Sequence, residues 1–89
     1  MKLSDTAEYM NSPDYRVRFQ AEYLQLKIRC EKLNNFIHKI EAYDLVGGVK
    51  PEHDCPLYLL KDQLRCMREY MNILELRAAI EKVSLNEVE

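Results

Sequence analysis

In the stretch 55–81, CPLYLLKDQLRCMREYMNILELRAAIE, the residues Leu57, Leu60, Leu64, Met67, Met71, Leu74 and Ala78 recur at alternating steps of three and four. That spacing lines one face of a helix at a coiled-coil seam. A second row, Leu59, Gln63, Cys66, Tyr70, Ile73, Arg77 and Ile80, runs beside the first with the same step, so the apolar arc is wider than a single partner helix covers. Upstream, Phe19, Tyr23, Leu26, Cys30, Leu33, Ile37 and Ile40 repeat the rhythm, with Leu24, Ile28 and Phe36 lying off that seam. Two matching seams predict an all-α chain, an antiparallel two-helix hairpin with long helices at about 13–43 and 56–82. The surplus apolar surface predicts assembly of the hairpin into a homo-oligomeric helical bundle.

Punctuation in the sequence sets the bounds. Ser12-Pro13-Asp14 reads as a helix start, with a Ser hydroxyl able to accept an early N–H, Pro at the first helical position and Asp14 at the positive end of the dipole. Gly47-Gly48 and Pro51 end the first helix near 42–44, leaving a loop of about 44–54 before Cys55-Pro56 restarts a helix. Such a loop is long for a helical hairpin, where about 2–8 residues are usual. Residues 1–12 show no sustained period and form an arm, irregular or at most a short helical turn, whose Leu3, Tyr9 and Met10 are available to pack on a neighbour. Residues 83–89 lose the period and are expected to fray.

Composition narrows the classes. The 89 residues make one domain, near the size where burial only just exceeds the conformational entropy lost on folding, which again favours self-association. The net charge of −2 lacks the basic surplus that a sequence-neutral nucleic-acid binder uses to displace counterions. No apolar run reaches the roughly 20 residues needed to span a bilayer, and the amino terminus lacks a signal-peptide pattern. A cytoplasmic protein with no membrane partner is expected. Cys30, Cys55 and Cys66 are odd in number and sit in helical or capping contexts, which points to reduced thiols.

Candidate chemistry is sparse. His53, Asp54 and Cys55 fall short of the four ligands of a structural metal site, with His38, Cys30 and Cys66 distant in sequence, so neither metal nor cofactor is expected. Cys30 and Cys66 occupy apolar rows where a thiol fills space, and the scattered carboxylates form no acid and base pair. An enzyme is therefore not expected. Arg77 is more informative, because it interrupts an apolar row and precedes the small residues Ala78 and Ala79. A guanidinium there requires an anion, either Glu22, Glu75 or Glu81 of a protein chain or a ligand phosphate. Tyr70 on the same row offers a ring and a hydroxyl. Tyr15, Arg16, Arg18, Phe19 and Tyr23 form the densest mixture of cations and aromatics, suited to phosphate capture with base stacking or simply to a solvated first turn. The candidate ligand-binding residues are Tyr15, Arg16, Arg18, Tyr23, Tyr70 and Arg77.

The blocks DYRVRFQAEYLQLKIRCEKL at 14–33 and CPLYLLKDQLRCMREYMNILELRAAIE at 55–81 resemble a family of short proteins encoded by tailed phages and their prophages, described as crAss-like-phage-related. The resemblance implies provenance; it carries no reaction or cofactor to transfer. In size and expected architecture the chain is also similar to the phage sponges that sequester cyclic-nucleotide alarm signals, without a motif aligned residue by residue. That similarity implies a non-enzymatic anti-defence protein that holds a cyclic nucleotide or ADP-ribose derivative between protomers. The alternative is a helical interaction protein that blocks or bridges a host or phage protein.

Overall fold

The computed structural model describes residues 6–85. Among them the chain is helical throughout its regular structure: α1 at Ala7–Met10, α2 at Tyr15–Val46 and α3 at Leu57–Glu81. The 32 residues of α2, at about 1.5 Å of rise each, account for the long dimension of the molecule, 47 Å.

The start of α2 differs in register from the sequence expectation. Asp14 is the cap, its carboxylate accepting from the Arg16 backbone N–H at 2.9 Å, while Ser12 Oγ accepts from the Asp14 N–H at 3.1 Å. Pro13 therefore precedes the helix instead of opening it, because the carboxylate is the acceptor that reaches the first exposed N–H of the helix. At its other end α2 runs through Val46 and beyond the 42–44 expected, stopping where Gly47 takes φ 78° and donates its N–H to the Tyr43 carbonyl at 2.8 Å. A residue with a Cβ resists that angle, so the glycine itself sets the boundary. The loop spans 47–56, and Pro56 caps α3 without a side-chain bond, its carbonyl accepting from the Leu59 and Leu60 N–H groups.

Side-chain pairs along the length of the long helices join them, among them Tyr15 with Glu81, Tyr23 with Glu75, Asn34 with Arg68 and Glu41 with Lys61. Residue numbers rise along α2 as they fall along α3. Between these pairs lie two clusters. Phe19, Leu74, Ala78 and Val83 form one with Tyr23, Leu26 and Leu85 against it; Cys30, Ile37 and Leu64 form the other with Leu33, Leu57, Leu60, Met67 and Met71. Every member apart from Val83 and Leu85 belongs to one of the two seams. Leu24, off the seam, is nonetheless buried, on a helix that also has α1 packed against it, with Gln25 Nε2 donating to Thr6 Oγ1 at 2.8 Å. The arm thus includes a helical turn at Ala7–Met10; Leu3 lies outside the described residues.

Two further expectations are corrected. Residues 83–89 were expected to fray, yet Val83 is buried and Leu85 packs on the core, while 86–89 lie outside the described residues. The cause is the cap: Lys82 adopts the left-handed conformation and the Val83 N–H reaches back to the Ala78 carbonyl at 2.9 Å. Such a cap brings the following apolar side chain onto the last turn. Cys66, expected to fill core space, is exposed. It shares the second row of α3, and within one chain that row lies open, with Leu59 49%, Tyr70 43%, Ile73 58% and Ile80 73% exposed.

Leu74 is fully enclosed while Leu76, two residues on, is 66% exposed. Leu74→Ala should cost about 2–5 kcal/mol of stability, whereas Leu76→Ala should stay within about 0.5 kcal/mol. Urea unfolding followed by circular dichroism reads both; equal losses would mean that the seam is not the face that packs.

Candidate functional site

The aromatic and cationic start of α2 meets the end of α3 because the seam residues Phe19 and Ala78 pack together. The residue before each of them, Arg18 and Arg77, then falls on one flank of the seam, since one residue turns a helix by about 100°. Glu22, before Tyr23, and Tyr70, before Met71, fall on the same flank. Tyr15, Arg18 and Arg77 line a cavity of about 250 Å³ with Met10, Phe19 and Glu22.

At its edge Tyr15 and Arg77 join Glu81 in a closed set of hydrogen bonds. Arg77 Nε donates to Glu81 Oε2 at 2.9 Å, an Arg77 terminal amino group donates to the Tyr15 hydroxyl at 2.9 Å, and that hydroxyl donates to Glu81 Oε1. The guanidinium carbon lies 4.8 Å from the centre of the Phe19 ring, and Tyr15 meets Phe19 edge to face at 6.0 Å. Stacking holds the guanidinium plane while its edge binds the carboxylate. Of the anions considered from sequence, Glu81 is thus the one that Arg77 takes in the single chain, and both side chains keep substantial solvent exposure. Arg18 donates from one amino group to the Ser12 carbonyl at 2.8 Å. Among the described residues, the second amino groups of Arg18 and Arg77 take no hydrogen bond.

The other candidates are placed differently. Tyr70 borders the site through Glu22: burial, and then a hydrogen bond to Glu22, push its hydroxyl pKa up. Arg16 is turned away, donating to the Lys82 carbonyl at 3.0 Å, and Tyr23 donates to Glu75 at 2.8 Å. The structure brings together Tyr15, Arg18 and Arg77, with Tyr70 beside them, and leaves Arg16 and Tyr23 out. Glu22 and Met10 were not singled out as cavity walls. For Glu22 the signal was its place before a seam residue; for Met10 there was none, because the path of α1 is not set by the seams. Among the described residues, no three His, Cys, Asp or Glu side chains gather to hold a metal, and His53 Nδ1 faces the Cys55 carbonyl at 2.8 Å. Among the described residues, no helix is long and apolar enough to cross a membrane.

Residues 13–80 match the model of the family described as Sequestin. The chain belongs to the Sequestin family. The match takes in the whole seam of α2 and that of α3, and with them every wall of the cavity except Met10. Neither the curated proteins nor the solved structures contain a match to this Sequestin-family chain.

The bonds from Tyr15 and Arg77 hold the Glu81 carboxyl below the usual carboxylate range, and the bond to Glu81 raises the Tyr15 hydroxyl pKa. A depressed carboxyl contributes stability that is complete above its unfolded pKa and is lost as pH falls through the lower folded value. Acidification from neutrality should therefore leave the network closed through the ordinary carboxylate range and open it only below. Tyr15→Phe removes the leading cause, so the Glu81 midpoint should rise. A carbon NMR titration of the Glu81 carboxyl reads that midpoint, and no difference between wild type and variant would mean that Tyr15 does not bind it.

Proposed function

We propose that the chain sequesters a small anionic nucleotide without catalysis, as a phage-encoded protein acting in the host cytoplasm against a nucleotide immune signal. The family description, Sequestin, supports sequestration, and the resemblance of the two sequence blocks supports a phage source. The observation that carries the reading is the pairing of Arg18 and Arg77, each with an uncommitted amino group, beside the Tyr15 and Phe19 rings in one cavity. Guanidinium groups supply charge-assisted bonds to phosphates and the rings supply stacking surface for a base.

In this proposal the working unit is an antiparallel hairpin in a homo-oligomer. At about 250 Å³ the cavity is smaller than the roughly 300–1,000 Å³ of typical ligand sites, which fits a pocket completed by a second protomer. The exposed row of Leu59, Tyr70, Ile73 and Ile80 is the surface that protomer would cover. Tyr70 and Arg77 belong to that row, so a chain docked on it closes over the cavity edge. The same exposed row favours the second reading, in which a host or phage protein occupies it.

Calorimetry against cyclic di- and trinucleotides and ADP-ribose derivatives, with recovery of the ligand after denaturation, tests the proposal. Arg77→Ala or Arg18→Ala should weaken binding by about 1.5–3 kcal/mol and leave the oligomer assembled. Ile73→Asp should lower the mass in light scattering toward the 10.6 kDa of one chain. Recovery of a cleaved product would favour an enzyme. A wild-type monomer that binds none of the panel would leave the protein-partner reading.

A further inference from the structure

The opposite flank of the seam carries a larger groove that the proposed function does not use. Its volume is about 450 Å³, within the range of ligand sites, and its floor is Ile37 and Leu64, both buried. On α2 its walls are Asn34, His38 and Glu41, each directly following a seam residue. On α3 they are Lys61, Arg65, Arg68 and Asn72, which also directly follow seam residues. All seven therefore project to one side, away from Arg18 and Arg77.

The donors in this groove are only lightly committed. Arg68 makes one bond, at 3.2 Å, to the neutral Asn34 carbonyl oxygen, although its guanidinium carries five N–H groups. Arg65 stands 3.6 Å from Asp62, an open pair with both side chains more than half exposed. Lys61 is the exception, bound to Glu41 at 2.8 Å, a bond that lowers the Glu41 pKa. Among the described residues, the Glu69 carboxylate on the rim and the Asn72 amide have no side-chain partner.

We infer that this groove is a second ligand site, for a nucleoside phosphate bound within a single chain. Arg65 and Arg68 form the phosphate end, where exchange of a weak neutral or solvated partner for phosphate gains charge-assisted bonds. The carboxylates decide the class. Lys61 compensates Glu41, but Glu69 has no cation paired with it among the described residues, so an inorganic polyphosphate would meet that one uncompensated carboxylate. A nucleoside phosphate offers ribose hydroxyl and base amino hydrogens to Glu69 and to the two amides, and a ring face to the Ile37 and Leu64 floor. The site does not rest on the proposed sequestration, because it uses other residues on the other flank and needs no second protomer.

The probes are ADP and inorganic pyrophosphate, titrated into the full chain by calorimetry and by amide NMR of Asn34 and Asn72. ADP should bind this groove once per chain, perturb both side-chain amides and bind there more tightly than pyrophosphate. Read at the Asn34 and Asn72 amides, Arg65→Ala and Arg68→Ala should each weaken ADP about tenfold or more, while Leu76→Ala, an exposed change outside both cavities, should leave it unchanged. Arg65 is a surface side chain, so its variant keeps the fold even if loss of the Arg68–Asn34 bond disturbs it. No ADP binding at about millimolar concentration, unchanged affinity in Arg65→Ala, or pyrophosphate binding as tightly as ADP would overturn the assignment. If ADP binding were lost with Arg77→Ala and kept with Arg65→Ala, the site would lie on the other flank.

Discussion

Everything in this molecule depends on burying two seven-membered apolar rows against each other. Neither long helix has another way to hide its seam, and Leu74, at 0% exposure, marks where the fit is tightest. Helices held this way have their remaining degrees of freedom removed: once the seam is set, the residue on either side of each seam position is committed to one flank. Both polar sites follow from that constraint. Arg18, Glu22 and Arg77, each before a seam position, wall the cavity beside the Tyr15–Glu81 contact, and residues that follow seam positions make the groove between Asn34 and Arg68.

The two flanks differ in chemistry. Along α3 the preceding positions are Leu59, Gln63, Cys66, Tyr70, Ile73 and Arg77, so this side joins apolar surface to one stacked guanidinium. The following positions are Tyr58, Lys61, Arg65, Arg68, Asn72, Glu75 and Ala79, a largely polar side suited to solvent or to a polar ligand. An apolar stripe left in water is costly to leave uncovered, whereas a charged one is not. The first flank thus carries most of the exposed apolar surface of α3 and the second most of its charge.

Capping decides how much core so short a chain attains. Lys82 in the left-handed conformation turns the chain back so that Val83 joins Phe19, Leu74 and Ala78, and Gln20 adds a bond from its amide to the Ser84 carbonyl at 2.6 Å. At the opposite end the bond from Gly47 closes α2 without comparable packing, and Leu45, Val46 and Val49 stay in solvent. The end that carries the candidate corner is accordingly the better consolidated of the two, with α1 and the turned-back segment both packed there.

Periodicity alone determined that the chain is helical, which rows face inward and that Arg77 would need an anion, because seam spacing reflects a local geometry that every helix shares. It also marked Tyr15, Arg18 and Arg77 as candidates, though not that Arg16 and Tyr23 would be drawn off to Lys82 and Glu75. Those outcomes depend on which side chain of the opposing helix lies within reach, a matter of register between helices that neither row contains by itself. Glu81 reaches Arg77 through the local i,i+4 spacing of one helix, whereas register decides the burial of Val83 against Phe19 and the groove over Ile37 and Leu64. That burial and that groove are each made by residues distant in sequence, and tertiary packing decided them.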